Sequence, residues 1–368
     1  MLLTMKECRA HRVGLWVFLA GFAGASITFG AQDPGMILGS PSVSNNAVTF
    51  TLNAESGVSY TILTSSNLVD WVAVATNADP GITRTITISN PPAGPSYYRA
   101  ARDPLPLFGF ALTAKGRITF SNGRVDSFDG ANGPYSPATA TSNAVVVTDS
   151  TNSPAINLTG NAYIHGNAVT GPGGTVAGSA AVSGTISHDA NIQINDVAPP
   201  VFDTFSTTLS GGTVNGTNYT YIAGMGNYLV THLSIASGQS MLVNGNAVIY
   251  CTSTANNCVN VGGSGFIYIA PGASLTLYVA GPSMISGDGV VNGNQRASDC
   301  YIYGLPSCTA MTLVGSANFT GVMDAPEANF TLSGGAIWSG AGIVNSIDFS
   351  AGASMHYDEN LARVGPTR

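Results

Sequence analysis

Charge is the scarcest commodity in this chain. Only 8% of its 368 residues are Asp, Glu, Lys or Arg, about a third of the share in an ordinary soluble domain. Lysine occurs twice, as Lys6 and Lys115. Hydrophobic residues make up 44%, so the chain is too apolar for disorder, which needs low hydrophobicity and high charge. The Glu/Lys/Ala-rich composition of coiled coils and long helical bundles is missing too. No basic cluster or RNA-binding motif occurs, which excludes nucleic acid as a partner, because phosphate neutralisation needs grouped Lys and Arg. Beyond the first thirty residues no apolar run is long enough to cross a bilayer. What is abundant is Gly, 45 residues of it, among Thr, Ser, Asn, Val and Ile. That mixture predicts an all-β chain with many tight corners.

Residues 1–31 read as an export signal. Lys6, Arg9 and Arg12 precede the apolar run from Val13 to Phe22. Ala23-Gly24-Ala25 and Ala31-Gln32 offer small-residue cleavage sites. A retained anchor is the alternative, with a run to Phe29 that is short for a span. Cleavage after Ala25 removes three basic residues and Glu7, moving the formal charge from −7 to −9. The expected location is outside the cytoplasm: secreted, on the cell surface or in the periplasm.

Removing the signal also discards Cys8 and leaves Cys251, Cys258, Cys300 and Cys308. An even number in an exported chain suggests disulfides. Of three connectivities, the local pairs Cys251–Cys258 and Cys300–Cys308 are expected. Gaps of six and seven residues are wide for paired zinc ligands.

Residues 36–102 alternate apolar and polar positions in short runs, as in Val48-Thr49-Phe50-Thr51-Leu52 and Thr85-Ile86-Thr87-Ile88. This predicts a small β-sandwich. Its Ser65-x-Asn67-Leu68-x-x-Trp71 stretch and closing Tyr97-Tyr98-Arg99 resemble immunoglobulin- or fibronectin-like modules of secreted bacterial proteins. Trp71 is expected in the sandwich core rather than at a sugar site. Residues 103–106, Asp-Pro-Leu-Pro, read as a stiff linker.

Residues 107–362 carry Gly-centred segments at fixed intervals. Gly160 to Gly178, Gly245 to Gly263 and Gly334 to Gly352 are each 18 apart, and Gly315 to Gly334 is 19. Ala270–Leu277 is echoed by Ala325–Leu332, three intervals later. A repeat of this length without helical periodicity predicts a solenoid. Three short strands and three corners per turn give a parallel β-helix of about 18–19 residues per coil. It is expected to be right-handed, from the general habit of such folds rather than from any residue. Irregular excursions are expected near 124–150, 189–228 and 288–308, that at 195–228 capping or covering the side. Met355–Glu359 is expected as an end cap.

The block from 107 to 361 resembles a family of exported bacterial proteins usually recorded only as a domain of unknown function. Their β-helices are likened to those of bactofilin-type polymer-forming proteins. The matching stretches are Val125–Asp129 with Gly133-Pro134-Tyr135, Leu158–Gly174, Ile269–Gly281, Ala325–Gly334 and His356–Leu361. Asp324 and Glu327 depart from that pattern. The resemblance implies a fold and an envelope setting, and no activity, cofactor or catalytic residue.

Chemistry is sparse. Asp288, Arg296 and Asp299, with Asp324 and Glu327, form the best acidic cluster for a polysaccharide lyase or glycoside hydrolase. The Asn-Thr-Asp, Gly-His-Gly and Arg-Ile-Lys motifs of polygalacturonase-like hydrolases are absent. His356, Asp358 and Glu359 lack the spacing of a metal site with His165, His188 and His232. A glycan-binding face needs exposed aromatics, for which Tyr268, Tyr278, Tyr301 and Tyr303 are the candidates. The expectation is a non-enzymatic envelope protein, a scaffold for adhesion, self-association or glycan contact, with no cofactor. The alternative is a β-helical carbohydrate-active enzyme.

Overall fold

The computed structural model describes residues 16–19, 37–39, 41–44, 47–53, 60–77, 83–89, 91, 96–102, 107–315 and 318–366. Most of residues 1–31, expected as an export signal, and the expected linker 103–106 lie outside them. The chain divides into two compact units between Leu105 and Pro106.

The first unit holds two antiparallel sheets. One places Trp16–Leu19, Ser96–Arg102, Tyr60–Ser65 and Val72–Asn77 side by side; in the other, Ile37–Leu38, Ser42–Ser44 and Thr83–Ser89 all pair with Ala47–Asn53. Alternation drives the packing: Val48, Phe50, Leu52, Ile86 and Ile88 from one sheet meet Tyr60, Ile62, Tyr98 and Ala100 from the other in one apolar core. The Phe50 and Tyr98 rings lie 5.0 Å apart across it.

Trp71 is not part of that core. The Ser65–Trp71 stretch is a hydrogen-bonded turn in which Ser65 Oγ accepts from the amides of Asn67 and Leu68. Asn67 Oδ1 accepts from Val69 and Asp70, and Leu68 takes the left-handed backbone, φ 63°. Trp71 closes this turn, its Nε1 donating to the Leu68 carbonyl at 3.3 Å. The ring stays half-buried because the Arg99 guanidinium lies over it, 4.2 Å from its centroid.

The second unit is built from three ladders of parallel strands that the chain visits in turn. Their buried columns are continuous. In the first, Ile249, Leu277, Ile302 and Met323 stack. In the second, Val261, Ile285, Leu313, Leu332, Phe349, Phe120 and Leu158 do so. The third runs Ile267, Val290, Phe319, Trp338, Met355, Val125 and Ile164. All but Leu158 are at most 1% exposed, and each such side chain contributes about 1.5–3 kcal/mol of burial. After Met323 the first column meets Gly342, where a Cβ would lie 2.2 Å from the Trp338 ring. The indole fills the space that a side chain would take.

Spatial order departs from sequence order. Leu112–Ala114 is inserted between Ile337–Phe349 and Ala144–Thr148, and Arg124–Phe128 between Ser354–Asp358 and Tyr163–Ile164. The chain therefore starts in the middle of the ladders and runs to one end at Ile186–Ser187. It then crosses to the far end and winds back from Thr217 to Asp358 until it meets its own beginning. Ser354–Asp358 is an interior rung, not an end cap. Nothing local to Met355–Glu359 could reveal this, since the strand on its other side, Arg124–Phe128, lies 230 residues earlier.

The spacing also differs from the expected 18–19. Phe319 faces Trp338 at 19 residues and Trp338 faces Met355 at 17. Ile249 faces Leu277 at 28, and Val125 faces Ile164 at 39. Corner glycines do stack, Gly287 against Gly263 and Gly334 against Gly315, each with φ between 59° and 86°. The steps between them vary because the corners absorb insertions. The 18-residue step from Gly245 to Gly263 joins no two stacked positions.

The crossing segment 188–209 carries no regular strand and lies over the outer side of the first ladder. Asp149 Oδ1 accepts from the Ile192 amide at 2.9 Å. Lys115 Nζ pairs with Asp196 at 3.4 Å and also with Glu327. Ser206 bonds through its backbone to Asn227 and Leu229. Nine ladder steps of about 4.8 Å come to about 43 Å, within reach of twenty extended residues. At the far end an antiparallel hairpin, Ser210–Val214 with Thr217–Ala223, turns on Asn215-Gly216, both at positive φ. Among the described residues no helix is long and apolar enough to cross a membrane.

Candidate functional site

The outer side of the third ladder carries the chemistry. Successive rungs present Phe266 and Tyr268, then Val291, Asn318 and Thr320, Ile337 and Ser339, Ser354 and His356, and Arg124 and Asp126. Strand alternation puts these side chains opposite the buried column. A groove of about 670 Å³ follows them, lined by Phe266, Asp288, Asn292, Gln295, Asn318, Thr320, Ile337 and Ser339, with Phe128, Pro134 and Tyr135 beside them.

Tyr135 comes from the insertion between Phe128 and Ala144, which is stitched onto the C-terminal segment. The Gly130 amide donates to Asp358 Oδ1 at 2.9 Å, and Asn143 Nδ2 to Glu359 Oε1 at 3.1 Å. Arg363 pairs with Asp129. Burial raises the Asp358 carboxyl above the usual range, against the pull of amide bonds from Asn360 and Gly130. Held in this way, the Tyr135 ring stacks on His356. Its hydroxyl donates to Asp126 Oδ2 at 2.9 Å, and burial and this bond raise it to about 12. Asp126 Oδ1 takes His356 Nδ1 at 2.5 Å, and Ser354 Oγ lies 3.4 Å from His356 Nε2.

The expected sites are redistributed. Of Asp288, Arg296 and Asp299, only Asp288 lines the groove; Arg296 Nε and Asp299 Oδ2 pair with each other at 3.0 Å. Asp324 is buried in the first ladder in register with Tyr303, and Glu327 pairs with Lys115. His356, Asp358 and Glu359 turn to different partners, and no group of three metal-binding side chains exists among the described residues.

The four tyrosines do not share a face. Tyr268 belongs to the third ladder. Tyr278 and Tyr303 stack at 5.0 Å in the first, with Tyr301 5.9 Å from Tyr303. These three line a second cavity, of about 580 Å³, beneath Pro200, Val201 and Phe202 of the crossing segment. Burial raises all three hydroxyls.

The expected disulfides are not formed. Cys251, Cys258, Cys300 and Cys308 are free and buried, and all four are members of the apolar core. Cys258 Sγ donates to the Cys251 carbonyl at 3.3 Å and Cys308 Sγ to that of Ala310 at 3.7 Å. Cys308 packs beside Gly304, four residues beyond Cys300.

Asp126, Tyr135 and Ser354 received no role from the sequence. The stretches holding Asp126, Tyr135 and His356 were visible as family-like segments, but only the pairing of Arg124–Phe128 with Ser354–Asp358 makes them neighbours.

Residues 186–364 match a family described as a domain of unknown function (DUF7305). The matched stretch includes Ser354, His356 and most of the groove and begins after Asp126 and Tyr135. Neither the curated proteins nor the solved structures contain a match to the chain.

Proposed function

We propose that this is an exported, envelope-associated protein whose second unit is a right-handed parallel β-helix that contacts glycans through the third-ladder groove. The groove carries the proposal: amide and hydroxyl side chains of Gln295, Asn318, Thr320 and Ser339 lie between the rings of Phe266 and Tyr135. Rings that cover apolar sugar faces, with amides and hydroxyls that bond hydroxyl groups, are the chemistry an uncharged saccharide requires. Phe266 and the Ser354 rung are separated by four ladder steps, about 19 Å, enough for several linked sugar rings.

The β-helix reading is supported by three parallel ladders visited in turn and by stacked corner glycines. Export is supported by the Lys6–Arg12 cluster and the apolar run behind it. Signal cleavage would remove Trp16–Leu19, which pairs with Ser96–Arg99, and leave Ser96–Arg102 as a sheet edge. The lyase or hydrolase alternative is disfavoured because Arg296 and Asp299 neutralise each other while Asp288 stands in the groove without them.

Retention of the purified protein on insoluble polysaccharides, with soluble fragments as competitors, tests the reading. Asn318→Ala with Thr320→Ala should weaken retention about tenfold, the loss of one or two hydrogen bonds. Unchanged retention in that variant, or no retention on any neutral or acidic glycan, sinks it. Depolymerised product that disappears in Asp288→Ala would move the assignment to the enzyme.

A further inference from the structure

We propose that Ser354, His356 and Asp126 form a hydrolytic array that cleaves carboxylic esters at the end of the groove. The three side chains are linked in the order nucleophile, base and orienting acid. Asp126 Oδ1 holds His356 Nδ1 at 2.5 Å, and Ser354 Oγ faces Nε2 at 3.4 Å. A carboxylate at Nδ1 fixes the proton there, so Nε2 is left to accept. The Ser–His separation is at the loose end of the range, as is common before substrate binds.

The surroundings suit this chemistry. His356 is 7% exposed, and its ring is locked between the Asp126 bond and the Tyr135 stack. Asp126 is also held by the Tyr135 hydroxyl, which fixes the carboxylate. Ser354 is half-buried, and its rung neighbours on the same side are Ile337 and Arg124. Ile337 is a groove residue, so the alcohol portion of an ester held over Ser354 continues into the groove. Arg124 is exposed and stands in register with Ser354, a cation beside the oxygen that gains charge. The substrate class is therefore an ester of a small acyl group, with its alcohol portion along the groove.

The step balances without metal or cofactor. Ser354 Oγ attacks the ester carbonyl while its proton passes to His356 Nε2. The carbon–oxygen bond to the alcohol then breaks, and the departing oxygen takes that proton. Water repeats the sequence on the acyl-serine, its proton moving through Nε2 to Ser354 as the carboxylic acid leaves. The sum is ester and water to acid and alcohol.

The full chain is treated with a fluorophosphonate probe and, separately, with p-nitrophenyl acetate; neither needs a glycan, so failure of the glycan reading leaves this test intact. One equivalent of label on Ser354 is expected. Hydrolysis should fall about 10²–10⁴-fold in Ser354→Ala and His356→Gln and stay unchanged in Asp299→Ala, with melting curves confirming folded protein. Ser354→Cys keeps the side chain's size and should shift labelling from the fluorophosphonate to iodoacetamide. Label on another residue, no label at all, or wild-type hydrolysis by Ser354→Ala overturns the proposal.

Discussion

Tyr135 lies face to face with His356, their ring centroids 3.4 Å apart and their planes 13° from parallel. The two residues are 221 positions apart, and the stack exists because the chain's first rung and its last are neighbours. One stack thereby joins three things: the insertion after Phe128, the closing strand and the end of the groove.

Tyr135→Phe should keep the stack and lose the hydroxyl bond to Asp126, costing about 1–2 kcal/mol; Tyr135→Ala should lose more, because stacking and packing go too. The variant also carries a pH signature. Folding raises the Tyr135 hydroxyl to about 12 from an ordinary 10.0, through burial and the Asp126 bond. Between those values the folded protein keeps a proton that the unfolded chain has lost. Its stabilisation is whole below pH 10 and is lost as pH rises towards 12. The difference in melting temperature between wild type and Tyr135→Phe, measured from pH 8 to 12, should shrink over that window. A constant difference would mean that the bond to Asp126 does not hold the proton.

Ending the chain before Ser354 should unfold the second unit rather than trim it. The deletion takes away Met355, Tyr357 and Leu361, all at most 3% exposed, worth about 2–3 kcal/mol each. It also strips the rung between Ile337–Phe349 and Arg124–Phe128. Those losses are comparable to a whole domain's net stability of about 5–15 kcal/mol. Hydrogen exchange at Val125 and Trp338 reports the result: both should lose protection together. Local fraying near residue 350, with protection kept at Val125, would mean that the closing strand is peripheral.

The contrast between a cap and an interior rung marks how far the sequence could be read. Alternation in Val48–Leu52 and in Ile267–Ile269 identifies strands and inward faces, because each such pattern is local. The corner glycines are legible for the same reason, since each carries its own positive φ. Register between rungs is not local. It depends on how many residues each corner absorbs, so Gly245 and Gly263 imitate a repeat without stacking. Trp71 misleads in a related way: a tryptophan in a strand-rich stretch reads as core, whereas its position after the Ser65–Asp70 turn and below Arg99 is set by hydrogen bonds. The site was the least legible part, because Asp126 and Ser354 become informative only once two distant strands pair.

The four core cysteines should be found as thiols. Alkylation of unfolded, unreduced protein should add one group at each of Cys251, Cys258, Cys300 and Cys308, and mass spectrometry counts them. In the folded protein the additions should be slow. Burial pushes Cys300 and Cys308 up to about 12, and Cys251 is raised by its bond to Cys258 and by burial. That bond works oppositely on Cys258, lowering it to about 6, so Cys258 should be the first of the four modified while the protein is still folded. Protein in which Cys251 and Cys258 resist alkylation until a reductant is added would place a bridge there.

Lys115 is the only lysine besides Lys6, and it ties the crossing segment to the ladders through Asp196 and Glu327. Its side chain is 30% exposed and those of its partners 56% and 38%, so the pairs are partly screened and worth about 0.2–1 kcal/mol. Lys115→Met should therefore leave the melting temperature nearly unchanged while loosening the part of residues 188–209 around Asp196, whose other anchors are the Ile194 and Leu209 side chains against the core and a few single hydrogen bonds. New thermolysin cleavage within that segment is the expected readout. Added salt should act in the same direction on the wild type, because screening weakens exposed pairs. If the variant resists cleavage as the wild type does, the apolar contact of Phe202 with the tyrosine cavity holds the segment instead. In that case Phe202→Ala should release it where Lys115→Met does not.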